Sequence, residues 1–355
     1  MHLSRDDNFN PDASGYFNNF NRNKRSVTLD LRASESIEVS RRLVAASDVV
    51  IENFSYGVMQ RMGLDYMTMQ GLRDDIIYVS MSGMGHTGPW RDWVSYADTV
   101  SAASGLTAMT GWATDQVVGV IYGHGDIVAG THAALAVLDA LQARRQSGQG
   151  RHIDLSQMEA MAAHMGTSLL EWTAHGQRPE PIGNRHPRWV PHGVFPTLGV
   201  GRWVALTVRA RNEWQRLVAV VDDPRLDDPT LADVATRPAH ADQVDAALAN
   251  WTQTQTAVSV VDRLQRIGIP CAAVQDGRDL VTDDPHLHAR GFYVPVDHPV
   301  AGTSVVEGVP VQMGNTPGGV RTPAPLLGQH TDAVLSEVGY TAVQIERLRS
   351  RGLLQ

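Results

Sequence analysis

The sequence predicts an α/β fold joined to a smaller α+β unit, and three observations carry that prediction. Short apolar runs at 49–51, 76–80, 117–122 and 152–155 read as strands, and helical periodicity fills the intervals between them. Beyond Val194 the texture changes to a strand at 203–208, helices near 213–221, 241–252 and 257–267, and a short strand at 271–274. The third observation is size: 355 residues with 43% hydrophobic composition suffice for two domains, each with its own core. The expected division is a large domain at 1–193, a small domain at 194–309 and a C-terminal segment at 310–355.

Each element has its own signal. Ser26-Val27-Thr28-Leu29-Asp30-Leu31 alternates like a short strand behind the cations Lys24 and Arg25. On the residues alone, those cations read equally as a solvated strand entry or as a phosphate contact. The run at 49–51 leads to Asn53 and Phe54, which open a turn, and strand ends are where α/β folds form ligand crevices. Phe54 reads equally as core. The run at 76–80 feeds Gly83-Met84-Gly85-His86-Thr87-Gly88, literally G-x-G-x-x-G after a strand. The dinucleotide context fails, because Pro89-Trp90-Arg91-Asp92-Trp93 stands where an apolar helix would begin. A flexible glycine loop near a substrate is expected instead.

The most informative stretch lies at 119–160. Gly123-His124-Gly125 makes a glycine turn, Asp126 follows, and Ile127, Leu135, Leu138 and Leu141 recur at helical spacing with alanines between them. Arg144-Arg145, then Gly148 and Gly150, end that helix. Asp126 therefore stands at a helix mouth, where the dipole and unpaired N–H groups favour a carboxylate and few side chains obstruct a substrate. A helix-capping aspartate and a reactive carboxylate both fit these residues. His124 reads as a partner of that carboxylate or simply as a turn histidine. Beyond Pro310 a Pro/Gly-rich stretch precedes one final helix at 332–348.

Composition removes several function classes. The 30 basic and 38 acidic residues are interspersed, for a net charge of −8, and no basic run points to nucleic acid or a membrane surface. No apolar run approaches the ~20 residues of a transmembrane helix. Polar residues follow Met1, so no signal peptide is expected and a cytoplasmic protein is the default. Cys271, the single cysteine, excludes an intrachain disulfide and reads as packing in an apolar run. The 14 histidines include no H-x-x-x-H or H-E-x-x-H spacing, so no metal site is expected. No G-x-S-x-G elbow occurs.

Taken together, NRNKRSVTLDLR (21–32), SDVVIENFSYGVMQRMGLDY (47–66), IIYVSMSGMGHTGPWRDW (76–93) and the Asp126 segment resemble the class III CoA-transferases, the CaiB/BaiF family. GNRHPRWVPHGVF (183–195), GIPCAAV (268–274), DDPHLHARGF (283–292) and APLLGQHTDAVL (324–335) extend the resemblance over nearly the whole chain. It implies a Rossmann-like large domain, a smaller α+β domain and a C-terminal segment that returns to the large one. Two protomers would interlock as a dimer, with a heteromer as the alternative. CoA and acyl-CoA would be substrates, with a carboxylic acid as acceptor and no tightly bound cofactor.

The resemblance also assigns residues. Asp126 becomes the catalytic residue, carrying CoA through an aspartyl mixed anhydride and an aspartyl-CoA thioester. Asn21, Arg22, Asn23 and Lys24 become CoA contacts, with Asn53, Phe54, Ser55, Arg61, Tyr96 and Ala97. A racemase branch of the fold carries a histidine where Tyr96 stands, and a tyrosine is a poor base near neutral pH. Racemisation is therefore the second reading, and a non-catalytic, partner-dependent subunit is the third. Formyl/oxalate specificity is not expected, because 196–201 contains no glycine run. Family members open with a βα unit carrying an AGP-type motif, whereas this sequence enters the pattern near Tyr16. A start placed too far downstream, or a partner chain, would account for that. The chain by itself is then expected to be poorly soluble or weak in CoA binding.

Overall fold

The computed structural model describes residues 10–120 and 123–354. The first elements are α1 (Gly15–Phe20), α2 (Ser34–Ala45), β1 (Val49–Glu52), α3 (Val58–Arg61), α4 (Tyr66–Leu72) and β2 (Ile77–Ser82). Next come α5 (Ala97–Ala103), α6 (Leu106–Met109), α7 (His124–Ser147), β3 (Arg151–Ser156), α8 (Gln157–Ala163) and α9 (Gly166–His175). Strands β4 (His192–Pro196) and β5 (Trp203–Thr207) lead to α10 (Arg211–Val221), α11 (Ala241–Thr252), α12 (Ala257–Arg266) and β6 (Cys271–Ala273). The last are α13 (Pro285–Ala289), β7 (Tyr293–His298), β8 (Gly302–Glu307), α14 (Thr331–Glu337) and α15 (Ala342–Ser350).

The chain divides into two compact units, one of residues 1–104, 121–164 and 278–355, the other of 105–120 and 165–277. These limits differ from the expected boundaries at 193/194 and 309/310. Residues 165–193 group with the smaller unit and 278–309 with the larger.

The larger unit is built on a parallel sheet in the order β1-β2-β3, with Val49 opposite Ile77 and Ile77 opposite Arg151. Ile77, Tyr78, Val79 and Ser80 of the central strand are all buried, as expected for a parallel strand covered on both faces. On one face Tyr78 packs with Val44, Leu64, Met69 and Ile76, and its hydroxyl donates to Leu64 O at 2.8 Å. On the other, Val128 and Ala129 of α7 meet Met81 and Leu155. Arg144, in the last turn of α7, ties that helix to the sheet by pairing with Asp48 (2.9 Å) and Asp75 (3.5 Å). A separate cluster of Val39, Leu335, Ile345, Leu348, Leu353 and Leu354 packs α2 against α14, α15 and the chain end. The strands β7 and β8 form an antiparallel hairpin.

The smaller unit is α+β. The antiparallel sheet β4-β5-β6 carries α10, α11 and α12 over a core that includes Leu206, Trp214, Leu217, Leu248, Leu264 and Cys271. Arg237 is fully buried there, with its Nη1 donating to Val190 O at 2.5 Å and its guanidinium over the Trp214 ring.

Four expectations need correction. The run at 117–122 is not a buried strand: Val117 makes only an isolated bridge to Gly111, and Val117 and Val118 are exposed. Positions 121 and 122 lie outside the described residues. The segment 26–31 pairs with no strand among the described residues; instead Ser26 O accepts from His330 N–H and Asp30 N–H donates to Leu353 O. The expected helix at 332–348 is two helices. Gly339 at φ +91 leaves the first, and Thr341 and Gln344 form a reciprocal capping box that opens the second. Finally, α7 buries Gly125, Val128, Ala129, Ala133 and Ala140, while Ile127, Leu135 and Leu138 face outward. No helix among the described residues is long and apolar enough to cross a membrane.

Candidate active site

A glycine opens α7 because the turn there demands one. Gly123 takes the N-cap position at φ +59, in the left-handed region, and a Cβ there would stand 2.8 Å from Asp126 Oδ2. Asp126 is exposed in the first turn of the helix. There N–H groups lack intrahelical partners and the dipole favours negative charge. Its Oδ1 accepts from Nε2 of Gln157, the buried first residue of α8, at 3.2 Å. Gly125 is buried too, and an added Cβ would meet Met161 Sδ of α8 at 2.8 Å and Val100 Cγ1 of α5 at 3.5 Å. At Gly125, therefore, α5, α7 and α8 close on one another.

The 83–88 loop leaves β2 beside the start of α8. Gly83 O accepts from Met158 N–H at 2.9 Å and from the Ser156 hydroxyl at 3.4 Å. A Cβ on Gly83 would overlap Ser95 Oγ at 1.9 Å, so Ser95 lies directly against the loop, one residue before Tyr96. The His86 N–H donates to Asp154 Oδ1 of β3 at 2.9 Å. Residues 156–158 thus touch the glycine loop through Ser156 and Met158, and the carboxylate of Asp126 through Gln157. Residues 89–93 form turns and no helix.

The expected CoA contacts fall into separate groups. Asn53, Phe54 and Ser55 are exposed in the turn after β1, so Phe54 is not core. Arg61 ends α3, with its guanidinium folded back toward Gly57. This turn meets the glycine loop: Tyr56 stands edge-on to His86 with centroids 5.5 Å apart, and the Arg91 guanidinium lies 4.5 Å over the Tyr56 ring. Tyr96 is 79% exposed at the N-cap of α5, and Ala97 begins that helix. The 21–24 segment sits apart. Arg22 pairs with Glu307 at 3.3 Å, and Lys24 Nζ donates to Asn21 Oδ1 at 3.1 Å. Asn23, at φ +60, accepts from the N–H groups of Arg321 and Thr322 and donates to Gly319 O. Its side chain is thus engaged in stapling the C-terminal segment. Among the described residues, no hydrogen bond or ring contact joins 21–24 to 53–61 or to 83–97.

Sequence reasoning missed Gln157 and Asp154, the side chains that hold Asp126 and the glycine loop. A signal existed for the first. Ser156-x-x-Glu159 is a capping pattern, and Ser156 Oγ does accept from Glu159 N–H at 3.2 Å, which places residue 157 at a helix mouth. On the same sheet face, His152 lies 3.0 Å from Ser80 Oγ and stacks on Tyr66 at 5.1 Å. Desolvation between those groups pushes the imidazole below its ordinary value.

Comparison with known proteins decides the family. The sequence pattern of CoA-transferase family III matches residues 4–331. The chain belongs to that family. This family III chain is 31% identical over 335 residues to the succinyl-CoA–D-citramalate CoA-transferase of Chloroflexus aurantiacus, across 94% of this chain and 83% of that protein. It is 31% identical over 340 residues to the beta subunit of the succinyl-CoA–L-malate CoA-transferase of the same organism, with 94% and 83% covered. Its fold superimposes on the crystal structure of a CaiB/BaiF family protein from Brucella suis with a TM-score of 0.84 and 27% identity, covering 92% of this chain and 84% of that one. The mixed helix-and-sheet architecture is therefore that of family III.

Proposed function

We propose that this chain moves CoA from an acyl-CoA to a carboxylic acid, with Asp126 as the covalent carrier. One observation carries the reading: Asp126 presents an exposed carboxylate in the first turn of α7, with Oδ1 held by Gln157 and Oδ2 beside Gly123, which has no side chain. A carboxylate oxygen attacks the thioester carbonyl, the C–S bond breaks, and CoA leaves as its thiolate. The thiolate then attacks the aspartyl carbonyl of the mixed anhydride, expelling the donor acid and leaving an aspartyl-CoA thioester. The acceptor carboxylate repeats the sequence in reverse and departs as the new acyl-CoA. Each step exchanges one acyl bond for another, so the thioester's free energy is kept rather than lost to water. N–H groups in the first turn of α7 and in the glycine loop stabilise the oxyanions.

The printed activities of the Chloroflexus relatives make succinyl-CoA the first donor to try, with hydroxylated dicarboxylic acids as acceptors. An assembly of two chains, like or unlike, forms part of the same proposal. The apolar stripe Ile127, Leu135 and Leu138 on the outward side of α7 supports it, as does a relative that is one subunit of a two-subunit enzyme. The deciding experiment is trapping during turnover with succinyl-CoA. Hydroxylamine should mark Asp126, and Asp126→Ala should bind CoA yet transfer none. A mark on another residue, or an active alanine variant, overturns the assignment.

A further inference from the structure

Glu52 closes β1 with its side chain 97% buried, and half of its carboxylate has no partner. Oε2 accepts from Phe54 N–H at 2.8 Å. Oε1 is buried without a hydrogen bond and lies 3.8 Å from His86 Nε2, which is likewise buried and without one. Both residues line a cavity of about 260 Å³, together with Tyr56, Asp65, Tyr66, Tyr78, Ser80 and His152. Sheet register explains the convergence. Glu52, Ser80 and Asp154 stand side by side across β1, β2 and β3, and Asp154 holds the His86 N–H. The glycine loop is therefore drawn over the C-terminal edge of the sheet, where its imidazole faces the carboxylate.

A buried, half-satisfied carboxylate is costly to a fold. Natural structures seldom leave such a group without an explanation. His152, on the same sheet face, is engaged with Ser80 and Tyr66. Asp65 caps α4 through Thr68, and the Tyr78 hydroxyl is given to Leu64 O. His86 is the group left facing Oε1.

We propose that Glu52 is a positioning residue that couples the 53–55 turn to the glycine loop, holding Phe54 with one carboxylate oxygen and His86 with the other. The two loops then order as one unit. Their role toward CoA rests on the proposed function, whereas the coupling between them stands on this geometry alone.

A double-mutant cycle in the full-length chain tests it. Glu52→Gln keeps an oxygen for Phe54 N–H but removes the charge facing His86, and His86→Gln removes the imidazole. The first readout is amide hydrogen exchange without CoA. Glu52→Gln should speed exchange across 83–88, and His86→Gln should speed it across 53–58, each by about three- to ten-fold. The double variant should be no faster than the worse single one. Exchange that changes only in the loop carrying the substitution overturns the coupling. The second readout is the Kd for CoA. Each single variant should weaken it roughly three- to ten-fold with no further loss in the double, and additive or absent effects overturn the positioning role. A wild-type chain that binds no CoA refutes the CoA-site assignment instead, and the exchange result still decides the coupling.

Discussion

Gln157 Nε2 donates to Asp126 Oδ1 across 3.2 Å, so a buried amide at the head of one helix sets the rotamer of an exposed carboxylate at the head of another. Hydrogen bonds to charged groups are worth about 1.5–3 kcal/mol, so Gln157→Leu should lower kcat for CoA transfer by about ten-fold or more. Leucine has a similar volume, so the thermal midpoint should hold and KM for the acyl-CoA should change little. Steady-state kinetics with a melting curve checks this, and an unchanged kcat would mean that Asp126 orients itself.

Gly123→Ala tests the same carboxylate from its other side. The new Cβ would stand 2.8 Å from Asp126 Oδ2 at a backbone φ of +59. Left-handed backbone costs an ordinary residue about 1–2 kcal/mol, and relief of the contact must move the carboxylate. The expected result is a modest fall in thermal midpoint with a much larger fall in kcat. Proportionate losses in both would count against it.

Turnover should leave the α-carbon of the acyl group untouched. Tyr96, exposed at the head of α5, is the residue that the resemblance sets against the histidine of the racemase branch, and a phenol is a poor base near neutral pH. Incubation of a 2-methylacyl-CoA with the protein in D2O, followed by mass spectrometry, should show no deuterium at C2. Rapid uptake without an acceptor acid would favour the racemase reading.

Cys271 is buried in β6, and desolvation pushes its thiol from 9.0 up to about 11. The folded chain therefore holds this proton at pH values where the unfolded chain has released it. Stability linked to the thiol is complete below about pH 9 and is lost as pH rises toward 11. Urea midpoints across that window should fall less steeply in Cys271→Ala. At pH 8 the native thiol should resist a disulfide reagent that reacts at once after unfolding.

Local chemistry made some of this legible beforehand. Gly123 and the paired Arg144 and Arg145 fix both ends of α7, so the position of Asp126 could be read from neighbours in sequence. Asn23 could not be read that way, because its three partners lie at 319–322, nearly the whole chain away. The 26–31 segment alternates like a strand yet finds helix caps and a chain end as partners, and alternation says nothing of what lies alongside. Hydrophobic spacing also misjudged α7. Alanine and glycine carry little hydrophobic signal, yet they make up most of the buried positions of this helix.

That small-residue face has an evolutionary consequence. A helix whose buried positions include Gly125, Ala129, Ala133 and Ala140 has little side-chain slack there to take up an added methyl. Asp126 is thereby a fixed point, and under the proposed function selection for a new acid cannot succeed by sliding that carboxylate toward it. Diversity in the acids served must come from what is free to vary around that point: the turn after β1, the glycine loop, and the outward side of α7.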